Sequence, residues 1–220
     1  MKNSSYLIIL LALGLVFTSY KWISSGSSDS ADPVPANVQS STISDIMTRT
    51  SVRAYSDRDI SENTMDTLLH AAMAAPSAAN KQPWRIVVIN DKKILDTIGE
   101  RFSSMTMAKQ ARRAVVMCGD TTVTLPGLGT EYWIQDVSAA TENLLIAAHA
   151  MGLGAVWCGI YPMPERVSEF SELLKLPNHI IPMACVCLGY PAAETTPKDK
   201  WNPQHIRYNQ WRRDYPREIR

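Results

Sequence analysis

A single mixed α-and-β domain, carried behind a separate apolar segment, is the organisation this sequence predicts, and three observations predict it. Four short runs rich in β-branched and apolar residues, 84–90, 114–120, 154–160 and 180–190, alternate with stretches whose apolar residues recur at helical spacing. The first of these runs arrives only after two helical stretches, and no GxGxxG turn follows it, which disfavours a dinucleotide-binding α/β sheet. Hydrophobic residues make up 45% of the 220 and charged residues 20%, enough apolar surface for one core in a chain too short for two full domains.

Taken from the amino terminus, residues 1–23 read as a signal peptide or membrane anchor. Tyr6 to Tyr20 is apolar, Lys2 and Lys21 flank it, and no acidic residue occurs before Asp29. Such a run is short for a spanning helix, which needs about 20 residues. Residues 24–41, rich in Ser, Ala, Pro and Asp, form a linker that buries too little surface to offset the cost of ordering it. The folded domain is expected over 42–220. An outward-facing position is favoured, with a cytoplasmic-facing anchor left open because the flanking positive charge is nearly balanced.

Within the domain, Ile43, Ile46 and Met47 share one face of a short helix. Ser61 is a candidate N-cap for a helix through Met65, Leu68, Leu69 and Ala72 that ends before Pro76. Trp84 to Asn90 reads as a buried strand, and Asp91 caps a helix through Ile94, Leu95 and Ile98. Ala114 to Asp120 is a second strand and Thr124 to Gly129 a surface loop. A long central helix is predicted from Glu131 to Met151, then a strand over Gly154 to Ile160, a helix opened by Pro164, and a last strand over Ile180 to Tyr190 whose unbroken apolar character requires cover on both faces. The tail from Pro191 carries Trp201, Tyr208, Trp211 and Tyr215, aromatic surface that a second subunit would bury.

Charge and cysteine usage exclude several classes. A formal net charge of +1 offers no field for a polyanion, so nucleic acid is not a partner. Cys118, Cys158, Cys185 and Cys187 all lie in apolar strand-like runs and read as buried thiols. His70, His149, His179 and His205 are scattered without HxxxH or HExxH spacing, so no metal site is expected.

Three segments combine features suited to an anionic, planar cofactor. Arg49-Thr50-Ser51-Val52-Arg53 gathers two guanidinium groups and two hydroxyls, a set that grips phosphate, although a solvated basic turn has the same composition. Pro76-Ser77-Ala78-Ala79-Asn80-Lys81-Gln82-Pro83 offers amide donors and acceptors between two prolines, or simply turn chemistry. Gly152 to Pro162 contains Gly159, where backbone can approach a ligand or merely bend.

RTSVRAY, APSAANKQPW, EYWIQDVSAATENLLIAAHAMGLG and AVWCGIYP, in this order, resemble the nitroreductase family of FMN flavoproteins over roughly residues 42 to 212, and PKDKWNP resembles the family's basic tail segment. The resemblance implies an α+β fold, a mostly antiparallel central sheet wrapped by helices, in an intertwined homodimer with one FMN in each interface cleft. It implies that Arg49, Thr50 and Ser51, with Lys198 and Lys200, bind the phosphate and that Arg53 reaches the flavin N1 and O2 side. Many relatives carry Arg where this tail has Lys200, which implies somewhat weaker phosphate binding. Pro76, Ser77, Ala78, Asn80 and Gln82 are implied to line the ring and ribityl chain, with Ser77 and Ala78 serving the partner's flavin. Trp157, Cys158 and Gly159 are implied to flank the other face, a backbone N–H there donating to N5.

By the same resemblance the activity is a ping-pong oxidoreductase, with NADH or NADPH giving hydride to N5 and nitroaromatic, quinone or related small acceptors taking it. The flavin carries the chemistry, so no side chain is assigned a catalytic role. The alternatives are a membrane-tethered flavin-binding protein without efficient turnover, and a reductive dehalogenase or flavin-cleaving relative.

Overall fold

Side chains along a strand alternate between two faces, so a strand apolar at every position needs helices on both sides. The computed structural model describes residues 42–211 and meets that requirement. The apolar segment, the linker and Tyr215 lie outside the described residues. Elements follow in the order α1 (Thr42–Thr48), α2 (Glu62–Met73), β1 (Trp84–Ile89), α3 (Lys92–Arg101), β2 (Arg113–Asp120), α4 (Tyr132–Ala150), β3 (Gly154–Gly159), α5 (Pro164–Leu174) and β4 (Ile180–Gly189). The strands form one sheet in the order β1-β2-β4-β3, every neighbouring pair antiparallel, as the resemblance implied. Among the described residues no helix is long and apolar enough to cross a membrane.

The local signals act where the sequence placed them. Ser61 accepts from the Thr64 amide at the start of α2, and Asp91 accepts from the Lys93 amide at the start of α3. Pro164 occupies the first turn of α5, where its missing N–H costs nothing. One face of the sheet packs Ala114, Val116, Val156 and Cys187 under Leu95, Ile98, Phe102 and Phe170, with the two phenylalanine rings stacked at 4.8 Å. The other packs Val115, Met117, Val186 and Leu188 under Met65, Leu68, Trp133 and Leu144 of α2 and α4.

Two expectations change. Trp84–Ile89 is not buried throughout: β1 is an edge strand, with Arg85 and Val88 exposed, because a β-branched run reads the same at an edge as at the centre. Ile43, Ile46 and Met47 are exposed while Asp45 is the buried residue of α1, a seven-residue helix that packs on α4. A 3-10 turn over Ser103–Lys109, which no periodicity in the sequence marks, places Met105, Met107 and Ala108 in the core.

All four cysteines are free and buried, and period-two alternation together with the bulge at Met117/Cys118 sets them in the same layer of core. Burial pushes the Cys118 thiol up to about 12. At the end of β2, Asp120 is buried and accepts from the amide and hydroxyl of Thr122 and, at 2.7 Å, from Arg85 across the strand pair. Burial opposes its ionisation, but these donors outweigh burial and hold the carboxyl below its ordinary range.

Two outcomes follow. A thiol reagent added to the native protein will leave all four cysteines unmodified, and after denaturation it will titrate four per chain. Because folding lowers the Asp120 pKa, its contribution is complete above the ordinary value of about 3.9 and drains as pH falls through the lower folded value. Asp120→Asn should therefore cost about 2 kcal/mol near neutral pH, and its deficit against wild type in urea unfolding should narrow below about pH 4.

Candidate functional site

The chain leaving α1 cannot run freely, because three contacts seat it on α4 and β3. The Arg49 Nε lies 3.3 Å from Glu142 Oε1, Thr48 Oγ1 shares a hydrogen bond with His149 Nε2 at 2.8 Å, and the Val52 amide donates to the Ala155 carbonyl at 2.9 Å. Ser51 bridges Ala155 in parallel sense, so this segment covers the outer edge of β3. Gly154 is required there, since a Cβ would fall 2.6 Å from a Val52 methyl carbon. Tyr55 then anchors the turn by donating its hydroxyl proton to the carbonyls of Val52 and Cys187.

The loop after α2 is held by a carboxylate of α4. Buried Asp136 accepts from the Ala78 amide at 2.9 Å through Oδ1. Ser77 Oγ accepts from the Gln82 amide at 2.9 Å, and the Gln82 side-chain amide donates to Asn80 Oδ1 at 2.8 Å. Between them Ala79, Asn80 and Gln82 all take left-handed backbone, with φ of 47°, 53° and 48°. That region costs a residue with a Cβ about 1 kcal/mol or more, and clusters of it persist where the surroundings over-determine the backbone.

Gly159 ends β3, paired with Ala184. Seven of the eight described glycines have a reason inside the chain, either a neighbour that would collide with a Cβ, as Trp133 would at Gly119, or a left-handed φ, as at Gly152. Gly159 has neither: its backbone is not left-handed, and nothing lies within 4 Å of the position a Cβ would take. Its carbonyl accepts from Arg166 Nη1 at 2.7 Å. Hydrogen bonding with Cys187 and burial hold the adjacent Cys158 thiol well above the ordinary cysteine range, against the pull of two nearby guanidinium groups, those of Arg53 and Arg166. Arg53 from the first segment and Arg166 of α5 therefore both stand close to the end of β3.

The structure thus brings Arg49, Ser51 and Arg53 against α4 and β3, and Ser77, Ala78, Asn80 and Gln82 against α4, while Thr50, Pro76 and Trp157 lie beside them in the chain. The thiol of Cys158 is turned into the core, leaving its backbone as the part that can meet a ligand. Lys198 and Lys200 are exposed on the tail, whose start is tethered where the Ala192 amide donates to the Ala54 carbonyl, so Lys198 lies within about 22 Å of that tether. Trp201, Tyr208 and Trp211 are exposed by 64%, 60% and 77%, with the Arg207 guanidinium 5.1 Å from the centre of the Trp211 ring.

Sequence reasoning missed Asp136 and Arg166. Asp136 carried a signal, a carboxylate in register with Trp133, Val137 and Ala140 on the apolar stripe of a helix. Arg166 carried none, since it reads as an ordinary surface arginine. A cavity of about 520 Å³ was also unforeseen: Thr121, Thr130, Glu131, Trp133 and Val167 are among its walls together with Tyr161 and Pro162, which end the third candidate segment, and the Trp133 and Tyr161 rings meet edge-on at 5.1 Å.

Comparison with known proteins places this geometry. The model of the Nitroreductase family matches residues 46–134 and 126–190. A protein of Archaeoglobus fulgidus, provisionally named NADH dehydrogenase/NAD(P)H nitroreductase, is 43% identical over 76% of this chain and 96% of its own length. A solved structure from Parabacteroides distasonis with the same provisional name is 43% identical, with a TM-score of 0.74 over 77% of this chain and 98% of that one. A provisionally named nitroreductase from Desulfovibrio desulfuricans, solved in complex with FMN, is 26% identical, with a TM-score of 0.66 over 76% of this chain and 96% of its own.

Removing the Asp136 carboxylate leaves the Ala78 amide without its acceptor. Asp136→Ala should cost about 2 kcal/mol in urea unfolding and speed amide exchange at Ala78 and Gln82 ahead of the sheet.

Proposed function

The chain belongs to the nitroreductase family, and we propose that it is an FMN-dependent oxidoreductase that uses NADH or NADPH to reduce nitroaromatic, quinone or related small acceptors. The observation that carries this reading is Gly159, a strand-end glycine left open for something outside the chain, with two arginines beside it. When bound, FMN supplies ping-pong two-electron exchange at N5, between the nicotinamide and the acceptor.

The donor set suits that cofactor. Arg49, Thr50 and Ser51 offer a guanidinium and two hydroxyls to the phosphate, and Glu142 engages only the Nε of Arg49, one of five donors on its group. Lys198 and Lys200 add charge from the tail. Arg53 stabilises negative charge on the pyrimidine side of the ring, where a fixed cation costs no reorganisation. Pro76, Ser77, Ala78, Asn80 and Gln82 line the ring and ribityl chain, and Trp157, Cys158 and Gly159 present backbone to the opposite face. The aromatic wall of the cavity beyond Tyr161 suits a flat acceptor.

Two copies form the functional unit in this proposal, the exposed tail aromatics of each covering the other, and residues 1–23 export or tether the domain. The purified chain should be yellow, lose its flavin absorbance on anaerobic addition of NADH or NADPH, and regain it with a quinone or nitroaromatic. Colourless protein that takes up no added FMN, or a bound flavin that does not bleach, would refute the proposal. Gly159→Ala should weaken FMN binding while shifting apoprotein stability by no more than about 0.5 kcal/mol, because nothing lies within 4 Å of the position its Cβ would take.

A further inference from the structure

The end of β3 is fastened by three hydrogen bonds to two partners. Ile160 and Tyr161 both donate their amides to the Met183 carbonyl at 3.0 Å, and the Gly159 carbonyl is taken by Arg166 Nη1 at 2.7 Å. Arg166 comes from the first turn of α5, only seven residues beyond Gly159, so a short, proline-rich connection through Tyr161 and Pro162 sets the helix and its guanidinium relative to the strand. A carbonyl at a strand end has no further ladder partner on that side, and a charged donor binds it about twice as strongly as a neutral one.

Arg166 is also uncompensated. Arg85, Arg112 and Arg113 have carboxylate partners on the far side of the fold, and Arg49 has one, Glu142, on α4. Among the described residues neither Arg166 nor Arg53 has such a partner. Two unpaired guanidinium groups therefore converge on one strand end whose glycine faces open space. An arginine recruited only to stabilise a helix terminus would serve at the C-terminal end of α5, where the dipole is negative. This one sits at the positive end and is unfavourable there. Its position has a use if it acts on the peptide it holds and on whatever lies against that peptide.

We infer that Arg166 is a positioning residue for the flavin site: by clamping the Gly159 carbonyl it fixes the strand-end backbone that faces the ring, and its charge favours the anionic reduced form. The inference rests on the FMN reading above. Holding the peptide acts on affinity for both oxidation states, whereas charge acts on their difference, so the two effects separate by substitution.

The experiment uses the full chain, with FMN affinity read from quenching of flavin fluorescence, midpoint potential from anaerobic dye equilibration, and folding of the apoprotein from circular dichroism. Arg166→Ala should weaken FMN binding about tenfold, and reduced flavin by about tenfold more, a fall in midpoint potential of about 30 mV for a two-electron couple. Arg166→Gln, which keeps a donor without the charge, should recover affinity and leave the potential low. Arg166→Lys, which keeps the charge on a single point donor, should recover the potential. A folded alanine variant with wild-type affinity and potential would overturn the inference. If the alanine variant does not fold, glutamine and lysine variants that both match wild type in the two readouts would overturn it equally. Wild-type protein that binds no FMN removes the underlying reading as well, and so is distinguished from failure at Arg166 alone.

Discussion

Helix α4 is set against the sheet by the approach of Trp133 to Gly119, and the placement of both candidate ligand segments depends on it. The indole occupies space that any side chain at position 119 would need: a Cβ there would lie 2.1 Å from a ring carbon. With the helix fixed this closely, its successive turns become a scaffold. Asp136 takes the loop after α2, Glu142 takes Arg49, and His149 takes Thr48. Fourteen residues of helix, about 20 Å, thus carry two segments that lie roughly thirty residues apart in the chain. Losing the close contact at Gly119 would displace all three attachments together, whereas losing any one polar contact releases a single segment.

Strand β4 supplies the complementary constraint. It is hydrogen-bonded along both edges, to β2 and β3, and is buried on both faces over nearly its whole length. An element held in four directions has little freedom, so the strand end at Gly159, paired to Ala184 and continued by two amides on Met183, inherits that rigidity. The bulge at Met117/Cys118 lies in the neighbouring pairing and shifts the register between β2 and β4 just before the end of the sheet that holds Gly159. Rigid strands therefore present the open backbone, while the charged groups arrive on connecting segments tied to them.

Much of this was legible from residue pattern. Helix starts at Ser61, Asp91 and Pro164 were readable because capping depends on one or two local residues, and the unbroken apolar run over 180–190 announced a strand covered on both sides. The edge position of β1 was not readable, because sheet order is decided by long-range pairing and the β-branched residues of Trp84–Ile89 suit centre and edge alike. For the site, the arginine and amide segments stood out by composition. What composition cannot show is which groups are already engaged, such as Arg49 on Glu142, or which glycine is unexplained by its own chain. Arg166 was invisible for the same reason: its distinction is geometric, a carbonyl seven residues back.

The reduced, water-excluded thiol layer beneath the sheet has a consequence for biogenesis. With Cys118, Cys158, Cys185 and Cys187 sealed among aliphatic and aromatic side chains, the fold closes without a disulfide among them. The native covalent structure is therefore the same in a reducing and in an oxidising environment. Electrons can pass through such a domain without its own sulfur entering the exchange.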